Sequence, residues 1–153
     1  MGIVEDTLAA LGITLPEPPA AAANYLPVRL AGDFAFVAGQ IPRIDGEMVA
    51  SGPVPSSQSP ESAKAAAKVC AINALAALKG ALGDLDRITG IVRVGVFVAS
   101  DANFDGQAGI ANGASDLLVE VFGDRGRHAR AAVGSVALPL GATVEVELIA
   151  QFK

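Results

Sequence analysis

Residues 88–99 read Ile88-Thr89-Gly90-Ile91-Val92-Arg93-Val94-Gly95-Val96-Phe97-Val98-Ala99. Val92, Val94, Val96 and Val98 recur at period two, with Arg93, Gly95 and Phe97 between them. β-branched residues at every second position suit a pleated strand, so this stretch predicts the clearest strand of the chain. Its flanks have helical spacing instead. Upstream, Ser59-Pro60-Glu61 supplies an N-cap, a proline at the first helical position and a carboxylate near the positive end of a helix. Ala63, Ala66, Ala67, Cys70, Ala71, Ala74, Leu75 and Leu78 then form one stripe, which Gly83 and Asp84 stop. Small residues on that stripe let a helix lie close on a sheet. Downstream, a second helix is predicted from about Gly106, with Ile110, Ala114, Leu117, Leu118 and Val121 on one face and Gly123 as its cap.

Further out on the N-terminal side, Tyr25–Leu30 and Phe34–Ala38 predict two short strands joined through Ala31-Gly32-Asp33. Asp45-Gly46 is a second turn signal, and Ser51–Ser59, rich in Ser and Pro, reads as a surface loop. On the C-terminal side, Arg130–Ala137 and Ala142–Phe152 predict a terminal pair of strands around Leu138-Pro139-Leu140-Gly141. The order hairpin, helix, strand, helix, strand pair predicts an α/β (α+β) fold: one sheet with both helices on one face. Ile3–Leu11, ending at Gly12, predicts a short amphipathic helix. Leu15–Ala23, with Pro16, Pro18 and Pro19, predicts an extended connector. Residues 1–24 are thus expected to form a helix and connector, and residues 25–153 the principal domain.

The 153 residues are 52% hydrophobic and only 18% charged, with a mean hydropathy of +0.47. So small a charged fraction leaves little to cover the surface of a monomer, and the bare sheet face would also need covering. An oligomer is expected. The net charge of −5 gives no long-range attraction for phosphate backbones, which excludes nucleic acid as a default partner. A single cysteine, Cys70, and a single histidine, His128, allow neither an internal disulfide nor a closed zinc site. A metal-free, cytoplasmic protein is the expectation. The N-terminus carries Glu5 and Asp6 and lacks a basic segment, so it does not read as a signal peptide. The longest apolar helical stretch, Ala65–Leu78, is interrupted by Lys68 and Asn73 and is too short to cross a bilayer.

Chemistry is concentrated near the C-terminus. Glu145 and Glu147 share one strand face, because side chains alternate with period two. Val144, Val146 and Leu148 form the natural bed for the helices, so the glutamates point away from it. A solvated strand face and a ligand-facing pair explain this pattern equally well. Arg125, Arg127, His128 and Arg130 form a basic cluster. Arginine offers a rigid fork of donors suited to a carboxylate. Arg125 and Arg127 lie in a Gly-rich loop and read as surface charge. Arg130, at a strand start, fits a structural ion pair as well as ligand binding. His128 has no Ser or Cys in a recognisable nucleophile context and reads as a loop or interface histidine. Cys70 lies on an apolar helix stripe and reads as a buried small hydrophobe. The Gly-x-Gly-like pieces, such as Gly123-Asp124-Arg125-Gly126, lack phosphate-loop spacing.

Three pieces of the chain together resemble the Rid/YjgF family of reactive intermediate deaminases, whose domain is also labelled endoribonuclease L-PSP or chorismate-mutase-like. Phe36-Val37-Ala38-Gly39-Gln40-Ile41-Pro42 is similar to the family's first signature, a strand ending in Ser/Ala-Gly-Gln-Ile/Leu-Pro. Asn112, early in the second helix, resembles the family's helix asparagine. Arg130, Leu138-Pro139, Gly141-Ala142 and Val144-Glu145-Val146-Glu147 resemble its terminal signature. The similarity spans Tyr25–Phe152, and the Asn112–Gly123 run together with the extra N-terminal helix resembles a divergent subgroup.

The resemblance implies a chorismate-mutase-like fold trimerising through its sheets, with three clefts between subunits and no metal or organic cofactor. Each cleft would take a small 2-keto, 2-imino or 2-enamino acid. Arg130 would bind the substrate carboxylate, and Glu145 would orient water or relay a proton. Tyr25, Asn112, Gly39 and Ala132 would line the same cleft, with Glu147 in a supporting role. Two positions depart from the deaminase branch: Ala38 stands where Ser is common and Ala132 where Cys is common. The resemblance therefore implies an imine deaminase, with a non-catalytic carboxylate-binding trimer as its alternative. The ribonuclease label would need RNA drawn to an acidic assembly, against electrostatic repulsion.

Overall fold

The computed structural model describes residues 2–21 and 23–153. Its elements in chain order are α1 (Ile3–Ala10), β1 (Val28–Ala31), β2 (Phe34–Gln40), β3 (Arg43–Ile44), β4 (Glu47–Met48), α2 (Pro60–Leu82), β5 (Ile88–Ala99), α3 (Gln107–Phe122), β6 (Ala129–Ser135) and β7 (Val144–Phe152). The main sheet has five strands in the order β1-β2-β7-β5-β6. β6 runs parallel to β5, and β7 pairs antiparallel with both β5 and β2.

The predicted strand at residues 88–99 is β5, with the boundaries expected of it. Val94, Val96 and Val98 are fully or almost fully buried, and Val146 and Leu148 of β7 lie beside them on the same face. α2 and α3 cover this face. The small-residue stripe of α2 is buried along its whole length, from Ala63 to Leu78. Where the two helices cross, a Cβ on Gly113 of α3 would fall on the Lys64 carbonyl, so the contact is closed by the absence of a side chain. Both expected caps of α2 form: Ser59 Oγ accepts from the Ser62 amide at 3.1 Å, and Gly83 takes a φ of 78°.

Four details differ from the sequence reading. The terminal strands are not partners: β5 lies between them, and β7 becomes a central strand. Local alternation gives each strand's faces but not its neighbour. The first strand starts at Val28 rather than Tyr25, because Pro27 has no amide hydrogen to give the ladder; its carbonyl still accepts from Ala38 at 2.9 Å. Asp45-Gly46, both at positive φ, closes a separate two-stranded ribbon of β3 and β4 outside the main sheet. Finally, α2 has 23 residues and is long and apolar enough for a bilayer span by length and composition, where the shorter Ala65–Leu78 stretch was not. Its apolar stripe is instead spent on the sheet and α3.

α1 joins the same core through Val4 and Leu8. The Asp86 carboxylate accepts from the amides of Ile3 and Val4 at 2.7 and 2.8 Å and so caps a helix more than eighty residues away in sequence. Glu5 pairs with Lys79 of α2.

Candidate functional site

Arg130 lies on β6, an edge strand, opposite Val94 of β5. Residues opposite one another in a sheet share a face, so Arg130 projects to the helix-covered side. There it meets one face of α3, on which Ala108, Asn112 and Ser115 are spaced four and three residues apart. Arg130 Nη1 donates to Asn112 Oδ1 at 2.8 Å and to Ser115 Oγ at 3.1 Å, and Nη2 donates to the Ala108 carbonyl at 3.2 Å. All three acceptors are neutral. Among the described residues Arg130 has no carboxylate partner, so no ion pair within one chain accounts for its place. Three of its five N–H hydrogens are engaged; the Nε hydrogen and one on Nη2 have no protein acceptor there. A half-buried cation with two spare donors on adjacent nitrogens suits a carboxylate.

Ser115 and His128 join this cluster, although the sequence reading gave His128 no partner. Ser115 Oγ lies 2.9 Å from His128 Nε2, and His128 Nδ1 lies 2.6 Å from the Gly126 carbonyl. Two signals could have found them: Asn112 and Ser115 are one helical turn apart, and His128 and Arg130 are two residues apart at a strand start. Of the loop arginines, Arg127 pairs with Asp124 at 3.3 Å in an exposed contact, as surface charge does. Arg125 instead donates to the Ile88 carbonyl at 2.9 Å and ties the loop to β5. Ala132, two residues beyond Arg130, is half-buried against the core.

Glu145 is on the other side of the sheet. It lies opposite Phe97 of β5, and Glu147 lies opposite Gly95, so both project away from the helices as the alternation predicted. β2 carries a register irregularity between Val37 and Gln40 beside β7, and Gly39 falls within it. A Cβ at Gly39 would clash with Glu145 Oε1, so the glycine makes room for the carboxylate where it stands. Burial first, and the Glu147 charge second, hold the Glu145 carboxyl above the ordinary glutamate range. Tyr25, 53% exposed, lines an open groove of about 330 Å³ on this face together with Ala38, Arg29, Arg93 and Glu147. Glu147 thus shares the groove with Tyr25.

Two half-sites result. Arg130, Asn112 and Ala132 occupy the helix side of the β6 edge, whereas Glu145, Gly39 and Tyr25 occupy the open side of β7 and β2. β5 separates the two strands. One chain does not bring Arg130 and Glu145 together. Cys70 belongs to neither half: it is buried, and burial together with the Glu145 charge pushes its thiol well above the usual range. Among the described residues no three His, Cys, Asp or Glu side chains converge as metal ligands.

Comparison with known proteins agrees with the signatures in the sequence. Protein TCP17 of Trypanosoma cruzi is 42% identical over 151 residues, covering 98% of this chain and 94% of that protein. The crystal structure of Atu1372 from Agrobacterium tumefaciens, a protein of unknown function, superposes with a TM-score of 0.92 at 41% identity, covering 99% of this chain and 94% of that one. A Shewanella oneidensis protein described as a putative endoribonuclease superposes with a TM-score of 0.94 at 34% identity, covering 97% of this chain and 99% of that one. Residues 5–152 match the family model described as "YjgF/chorismate_mutase-like, putative endoribonuclease". On this evidence the chain belongs to the YjgF/chorismate-mutase-like family.

Proposed function

We propose that the protein is a deaminase of the Rid type, hydrolysing small 2-imino or 2-enamino acids to 2-keto acids and ammonia in clefts between the subunits of a homotrimer. The observation that carries this reading is the state of Arg130. A half-buried guanidinium held by three neutral acceptors, with two donors to spare, is a ready partner for one carboxylate. Fixing the substrate by that group removes much of its freedom to drift. The separation of the half-sites supports an inter-subunit cleft: Glu145 can face an Arg130-bound ligand only from a second copy. Exposed apolar residues of the open sheet face, Phe36 and Val133 among them, suit such packing.

Glu145, with its raised carboxyl, would hold the attacking water and take its proton as the water oxygen bonds to the imine carbon. That proton would pass to nitrogen to give a carbinolamine; Glu145 would then take the carbinolamine hydroxyl proton and give it to nitrogen as the carbonyl forms, the carbon–nitrogen bond breaks and ammonia leaves. The imine is already electrophilic, so the step asks for no metal. The test is keto-acid formation from freshly generated 2-aminoacrylate. Arg130→Ala should reduce it to background, and unchanged turnover in that variant would overturn the reading.

A second reading, binding without turnover, is favoured by Ala38 and Ala132, which lack the hydroxyl and thiol common at these positions in the deaminase branch. It expects saturable binding of 2-keto acids, lost in Arg130→Ala, with imine decay at the background rate. A ribonuclease is disfavoured by the net charge of −5 on each chain.

A further inference from the structure

Ser115 and His128 lie outside the groups that the family resemblance places in the cleft, yet both are tied to Arg130. The hydrogen positions in this chain follow from the chemistry of its members. A carbonyl oxygen has no hydrogen, so across the 2.6 Å contact His128 Nδ1 must donate to the Gly126 carbonyl. In the neutral imidazole Nε2 is then an acceptor, and Ser115, 2.9 Å away, gives it the one hydroxyl hydrogen it has. Ser115 Oγ is left with lone pairs only, and one of these receives Arg130 Nη1 at 3.1 Å. With His128 neutral, donation runs in one direction, from Arg130 through Ser115 and His128 to Gly126. The far end is fixed: Gly126 is buried, and a Cβ there would fall on the Leu118 carbonyl of α3.

The geometry points to Ser115 and His128 as positioning residues for Arg130, forming a brace that aims its two unengaged donors at the ligand carboxylate. This rests on the proposed role of Arg130 as carboxylate anchor. Asn112 and Ala108 alone take one hydrogen from each terminal nitrogen. Ser115 takes the second hydrogen on Nη1, so that only Nε and Nη2 still offer donors. His128 makes this possible by holding the Ser115 hydrogen away from Arg130; with that hydrogen turned the other way, two donors would face each other. An arginine fixed before binding loses less side-chain freedom on meeting its ligand, and affinity rises accordingly.

Two measurements on the full chain test the brace: ¹⁵N NMR of the Arg130 guanidinium, and titration with pyruvate as the probe carboxylate. In the unmodified protein the Nη signals should be separate and slowly exchanging. Ser115→Ala, a change favourable to a helix, should average them and weaken pyruvate binding about tenfold. His128→Phe, which keeps the ring volume, should do the same, and Ser115→Thr should restore both. Nη signals in Ser115→Ala that match the unmodified protein would overturn the brace. A fork that is fixed in the unmodified protein and freed in Ser115→Ala, without any pyruvate binding, would support the brace and sink the carboxylate-anchor reading instead.

Discussion

Arg130 Nη1 and Asn112 Oδ1 lie 2.8 Å apart, joining an edge strand to the helix above it through a bond between a cation and a neutral amide. The neutrality of the acceptor matters more than the bond itself. A carboxylate at residue 112 would satisfy Arg130 from within the chain and remove the charge that a ligand would meet. Asn112→Asp should therefore keep or raise the melting temperature while weakening pyruvate binding by more than tenfold. Asn112→Ala should weaken binding less and leave the charge available. Titrations of the two variants side by side check the order; equal affinities would show that Asn112 acts only by its shape.

Glu145 offers a test by pH. Its carboxyl is raised by burial and by Glu147, so the folded chain binds a proton more readily than the unfolded one. Below the ordinary glutamate range both states are protonated, and the group contributes nothing. As the pH climbs from that range through the raised folded value, stability falls, and it stays lowered above. Glu145→Gln removes this loss. Thermal melts should show the variant gaining on the unmodified protein between pH 4 and pH 8. A constant difference across that range would mean that Glu145 is not held in this state.

The signals for this architecture were unequally distributed along the sequence. β5, α2 and α3 announce themselves because period two and period 3.6 are local properties, and the Ser59 and Gly83 caps are local too. The place of β7 between β2 and β5 is not local. Val144, Val146 and Leu148 fix the strand's faces but carry no information on its neighbours. The candidate site divides in the same way. Alternation sent Glu145 to the open face, and the family signature selected Arg130. Ser115 escaped because its significance depends on His128, which reaches it only after the chain has turned at Gly126.

Asp86 makes the attachment of α1 depend on acid. Amide donors from Val4 and Ile3 hold its carboxyl below the usual range, so the cap contributes stability above the ordinary aspartate range and loses it as pH falls through the depressed folded value. Amide hydrogens of residues 3–10 should exchange faster than those of α2 when the pH is taken down to about 3. Asp86→Ala should produce the same exchange pattern at neutral pH. Protection that is indifferent to both changes would assign the docking of α1 to Val4 and Leu8 alone.

The crossing of α2 and α3 has no room for a methyl group. A Cβ on Gly113 would fall on the backbone carbonyl of Lys64, and a backbone atom in a helix cannot swing aside as a side-chain tip can. An alanine in the interior of a helix normally stabilises it by about 1 kcal/mol relative to glycine. Here overpacking should reverse the sign, with Gly113→Ala costing about 1–3 kcal/mol in urea denaturation. Gly109, on the same helix with open space around its Cβ position, is the control: Gly109→Ala should stabilise. Asn112 is one residue from Gly113, so a displaced α3 would also carry the Arg130 acceptors with it. Gly113→Ala should therefore weaken pyruvate binding along with stability, whereas Gly109→Ala leaves α3 seated on α2 and should raise stability without that loss.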